Sequence, residues 1–165
     1  MSTDVRGRIF QLMLAAHLVL FAAGAVLGWW RPPYPEASAQ APEFFGVMDA
    51  AGAILLQNLG ALTLLVLGNV VSVGTFGVVV YVVNGYLAGA LMRTVEYTAP
   101  HVPPWLWSFV LPEVFAFAYA GAAAVAAVVG MTNIRDAVHM VGFSAVILCT
   151  SAVFEAIVVR WAWGL

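Results

Sequence analysis

Two carboxylates carry the chemistry open to this sequence. Glu113 and Glu155 each lie inside a long apolar segment. An acidic residue at the centre of a membrane helix costs roughly 2.5–3.5 kcal/mol on insertion scales, so such groups turn toward neighbouring helices or trapped water. Glu113 follows Pro112, whose ring removes a backbone donor and frees a carbonyl one turn earlier. No basic residue stands three or four positions to either side. Its carboxyl must therefore be protonated, paired across helices or open to a cavity, with Arg93, Arg135, Asn84 and Glu155 as candidate partners. Two carboxyls sharing one proton supply an acid and a base around one atom, the minimum for cofactor-independent isomerisation. The same pair would serve a proton, ion or small-solute transporter. For Glu155 the competing reading is an interfacial ion pair with Arg160, five residues on.

Amides add to the set. Gln57, Asn58 and Asn69 fall in the second apolar segment and Asn84 in the third; with Arg93 and Arg135 they form the expected polar network. Interhelical hydrogen bonds of this kind average about 0.6 kcal/mol, so glue is their commonest role. Gly24-x-x-x-Gly28 and Gly85-x-x-x-Gly89, and Gly121 among small residues, predict close helix packing, with dimerisation as one use. His17, His101 and His139 are scattered, with no metal-ligand pair on one helix face. There is no phosphate loop, dinucleotide fingerprint, nucleophile elbow or zinc-protease motif, so neither a cofactor nor a metal is expected. Cys149 stands alone in an apolar run, which excludes an intramolecular disulfide and suggests a packing role.

The elements that position these residues follow from composition. Of 165 residues 64% are hydrophobic and 8% charged, where a soluble domain carries about 25%. Six arginines, eight carboxylates and no lysine cannot cover a soluble surface, and no clustered basic face points to nucleic acid. The class is all-α: a polytopic membrane protein of about five transmembrane helices in one bundle, seated in a lipid bilayer. Spans are expected at about 9–30, 51–73, 78–94, 105–130 and 140–159, within a single integral membrane domain over 1–165.

The first span follows Arg6 and Arg8 but is too long for a signal-peptide core, so it is read as retained despite the Ala37-Ser38-Ala39 triplet. It ends in Trp29, Trp30 and Arg31, an interfacial belt. A proline-rich loop over 31–42 leads to an interfacial approach with Glu43, Phe44, Phe45 and Asp49. A tight turn is expected over 74–77. Pro100, Pro103 and Pro104 then stop the third span, Trp105 and Trp107 open the fourth, and Pro112 kinks or breaks it. Residues 132–138, with Arg135 and Asp136, read as a polar connection. Five crossings put the termini on opposite faces. The arginines divide evenly between them, and the N-terminal pair places the N-terminus in the cytoplasm.

The order Gln57-Asn58, Gly68, Gly74-Thr75-Phe76-Gly77, Asn84-Gly85, Glu113, Ala120-Gly121-Ala122 and Phe154-Glu155-Ala156 resembles the stage II sporulation protein M family over 57–159. That family typically shows an asparagine pair, a glycine-rich turn, Asn-Gly, Pro-His-Gly-x-x-Glu and a terminal Glu-Ala. Asn58, Asn84, Gly85, Glu113 and Glu155 match the pattern. Ser108, Phe109 and Val110 stand where the family has Pro-His-Gly, so any function that needs that histidine is not implied.

The family's named member works with two other membrane-associated proteins in cell-wall remodelling. The resemblance thus implies a small multi-pass subunit that assembles with another membrane protein, or with a second copy of itself. Together with the arginine-only basic set and the abundance of alanine, it places the chain in a bacterial cytoplasmic (inner) membrane. The alternatives are one half of a heteromeric enzyme acting on a peptide substrate by proton transfer, of epimerase or isomerase type, and a transporter using Glu113 and Glu155.

Overall fold

The computed structural model describes residues 3–32, 46–98, 108 and 110–163. They form five helices: α1 (Thr3–Trp29), α2 (Val47–Ser72), α3 (Thr75–Thr98), α4 (Val110–Val128) and α5 (Ile134–Trp163). Each is long and apolar enough to cross a membrane, and each closes its own backbone hydrogen bonds, as a bilayer demands. Most of the proline-rich loop, Glu43, Phe44, Phe45, the Ala37-Ser38-Ala39 triplet, His101, the stop at Pro100, Pro103 and Pro104, and the Trp105 and Trp107 opening lie outside the described residues.

Several helix ends differ from the sequence expectation, each for a local reason. The turn between α2 and α3 is Val73-Gly74, not residues 74–77, because side chains from α2 cap α3 early. The Phe76 N–H donates to Ser72 Oγ at 2.9 Å and the Gly77 N–H to Asn69 Oδ1 at 2.7 Å. Val73 (φ 53°) and Gly74 (φ 92°) reverse the chain. Helix α5 starts at Ile134 because Asn133 Oδ1 accepts the Asp136 N–H at 2.8 Å. Arg135 and Asp136 thus occupy its first turn instead of a connecting loop. Pro112 lies in the first turn of α4. There the missing N–H has no intrahelical partner to lose, so the described helix runs unbroken to Val128, while most of the stretch before Pro112, where a kink or break is expected, lies outside the described residues.

Helix α4 is the hub. Its buried face is nearly all alanine, with Ala116, Ala118, Ala120, Ala122 and Ala123 at 0% exposure, and it packs against α1, α2 and α5. Alanine lets neighbouring backbones approach and exposes the α4 carbonyls to their side chains. Helices α1 and α3 pack in parallel, glycine pair to glycine pair. A Cβ at Gly24 would strike Val82, one at Gly28 would strike Tyr86, and those at Gly85 and Gly89 would strike the Phe21 and Ala25 carbonyls. The two motifs are spent on each other inside the chain, which leaves neither face for a dimer. Cys149 faces outward from α5, against the expectation that it packs inside.

Candidate functional site

Glu113 sits in the first turn of α4, where the helix dipole favours a carboxylate. Helices on both sides reach it. Asn58 of α2 donates Nδ2–H to Glu113 Oε1 at 3.0 Å, and the Ser151 hydroxyl of α5 is hydrogen-bonded to the same carboxyl. Glu155, one helical turn beyond Ser151 on the same face of α5, lines a cavity of about 220 Å³ together with Glu113. Gln57, Asn58 and Asn84 complete the polar part of the wall, while Phe21, Phe117, Val114 and Met92 supply apolar surface. Gln57 and Asn84 are exposed, and among the described residues neither makes a hydrogen bond.

Beneath the cavity the polar groups of α1 and α3 are tied to α4 carbonyls. Tyr81 borders the cavity and donates its hydroxyl to the Phe117 carbonyl at 2.8 Å. His17 stacks on the Tyr81 ring with centroids 4.4 Å apart, and its Nδ1 lies 3.4 Å from the Ala118 carbonyl. A carbonyl only accepts, so this contact selects the Nδ1–H tautomer. Further along α4 the fully buried Asn69 extends Nδ2–H to the Gly121 carbonyl at 3.5 Å. Gly121 is small by necessity: a Cβ there would run into the Tyr81 hydroxyl.

The expected single network is therefore divided. Asn58, Glu113 and Glu155 converge, with Gln57 and Asn84 at the rim, whereas Asn69 belongs to the α2–α3 turn. Arg93 does not partner Glu113. It donates to Glu96 at 2.6 Å and lies 5.5 Å over the Trp29 ring, held there by its own helix. Arg135 cannot reach Glu113 either, since it begins α5 just after the far end of α4 and is exposed. No ion pair joins Glu155 to Arg160 among the described residues, where the ion pairs are Asp4 with Arg8 and Arg93 with Glu96. Sequence reasoning missed Ser151, Tyr81 and His17 as members of the polar core. Ser151 was within reach of it, standing four residues before Glu155.

A family model, Stage II sporulation protein M, matches residues 17–160. The chain belongs to that family. The match runs from the His17 turn of α1 to Arg160 in α5, and so takes in α1, which the resemblance over 57–159 left out. The positions singled out by the resemblance converge in part: Asn58, Asn84, Glu113 and Glu155 line one cavity, and Gly85 serves the α1–α3 contact. No curated protein and no solved structure matches the chain.

Proposed function

We propose that this chain is a multi-pass subunit of a bacterial cytoplasmic membrane complex, acting as one membrane domain with its N-terminus in the cytoplasm. Its cleft between α2 and α3 is completed by a second membrane protein. One observation carries the reading: Gln57 and Asn84 are exposed at the rim of the cavity, within helices that cross the membrane, and make no hydrogen bond among the described residues. An amide left against lipid is costly, and a partner helix relieves it. The α1–α3 glycine faces are already consumed inside the chain, which favours this cleft over them as the contact surface.

Two carboxyls in one cavity support a second reading, in which the complex moves a proton to and from a peptide substrate held against Glu113 and Glu155. The assembly reading is tested by a photo-crosslinking amino acid placed in native membranes at position 57 or 84, with position 12 on α1 as control. The expected result is one shared protein adduct from 57 and 84 and none from 12. Adducts to lipid alone at all three positions would overturn it.

A further inference from the structure

We infer that the cavity holding Glu113 and Glu155 binds one side-chain-sized organic cation, an ammonium or guanidinium group on a short apolar stem. This deepens the subunit reading and rests on it. Among the described residues, two carboxyls share one cavity and no arginine lines it. Arg6 and Arg8 lie in the first turns of α1, at the opposite end of the bundle, and Arg135 begins α5 at that same end. Arg31 reaches the Tyr86 hydroxyl at 3.2 Å, Arg93 is held by Glu96 and Trp29, and Arg160 makes no ion pair with Glu155. None of the six lines the cavity, and the sequence has no lysine.

The rest of the wall suits the same ligand. Asn58 spends an amide N–H on Glu113 and keeps its carbonyl oxygen as an acceptor, and Gln57 and Asn84 offer further carbonyl oxygens to N–H donors. Phe21, Phe117 and Met92 give methylene groups an apolar bed, and aromatic faces favour a cation above them. The volume, about 220 Å³, falls below the ~300–1,000 Å³ of pockets for drug-sized ligands and suits a group the size of one side chain. A lysine or arginine of a partner helix and an amine carried by a free or peptide substrate share this chemistry.

The test uses the full-length protein in detergent with butylguanidinium and butylammonium, and with neutral butylurea as control. Both cations should raise the thermal midpoint where butylurea does not. Glu113→Gln and Glu155→Gln should each weaken the response about tenfold or more, the size of one lost charge-assisted hydrogen bond. Glu155→Gln removes no hydrogen bond among the described residues, so it keeps the result readable if Glu113→Gln unfolds the chain. Glu96→Gln, outside the cavity, should leave the response unchanged. An equal response to butylurea, or cation binding that survives both Glu substitutions, would overturn the inference, while crosslinking from 57 and 84 still judges the subunit reading on its own. Where that crosslinked partner is present, its release by butylguanidinium assigns the cation to the partner. Its retention while butylguanidinium binds assigns the cation to a free or peptide-borne amine.

Discussion

The Asn58 amide donates to the Glu113 carboxyl across 3.0 Å, joining α2 to α4 over 55 residues of chain. If this bond is a true interhelical tie, Asn58→Ala and Glu113→Ala will be non-additive. A double-mutant cycle on unfolding in mixed micelles should return a coupling of about 0.6 kcal/mol, with ~1.7 kcal/mol as the upper range for such bonds in membranes. Strict additivity would mean that the contact contributes nothing to stability.

Glycines at the α1–α3 crossing behave differently from those that face outward. Gly28→Ala and Gly85→Ala put a methyl group into backbone carbonyls of Tyr86 and Phe21, which cannot move as a flexible side chain does. Each should cost about 1–3 kcal/mol through forced separation of the helices. Gly60→Ala and Gly142→Ala meet no atom within 4 Å and, gaining helix propensity, should leave the thermal midpoint of the purified protein level or slightly raised. Equal effects at all four positions would show that helix propensity, and not the α1–α3 contact, governs the response.

What could be read from the sequence, and what could not, follows the range of the forces involved. Apolar length specifies five helices, because an uninterrupted apolar stretch of about 20 residues crosses a bilayer as a helix that satisfies its own backbone. The inward turn of Glu113 follows from the cost of a carboxylate in hydrocarbon. Its partners follow only in part: of the four candidates Glu155 and Asn84 share its cavity, whereas charge complementarity points to Arg93 or Arg135 and the helix rotations deliver Asn58 and Ser151 instead. The Gly24–Gly28 and Gly85–Gly89 spacings show that something must come close, yet only the parallel packing of α1 on α3 shows that they meet each other. Helix ends were misplaced where one side chain caps a neighbouring segment, as Asn69 does for α3 and Asn133 for α5.

Five helices, each long and apolar enough to cross the bilayer, would set Thr3 and Trp163 on opposite faces if all of them cross. Reporters active only in the cytoplasm or only outside it, fused before Thr3 and after Trp163, should give complementary signals, with the N-terminal fusion cytoplasmic. Both fusions reporting from one side would mean that one helix lies along the membrane instead of through it. The inverse pattern would keep the five crossings and reverse the orientation argued from Arg6 and Arg8.

The turn between α2 and α3 offers two substitutions of opposite sign in adjacent helical turns. Asn69 is fully buried and its Oδ1 accepts the Gly77 N–H at 2.7 Å, one of the first N–H groups of α3, which have no partner within their own helix. Asn69→Leu strands that donor and the Gly121 carbonyl together, and should cost about 1–3 kcal/mol. Val73, four residues later, caps α2 in the left-handed region at φ 53°, where a β-branched residue is strained. Its N–H still returns to the Asn69 carbonyl, so the backbone geometry is needed although the side chain is not. Val73→Gly should therefore raise stability by about 1 kcal/mol. Thermal unfolding of the two variants, run beside the parent chain, should bracket it from below and above. A fall in midpoint for both would show that the Val73 side chain contributes more by packing than its backbone loses in strain.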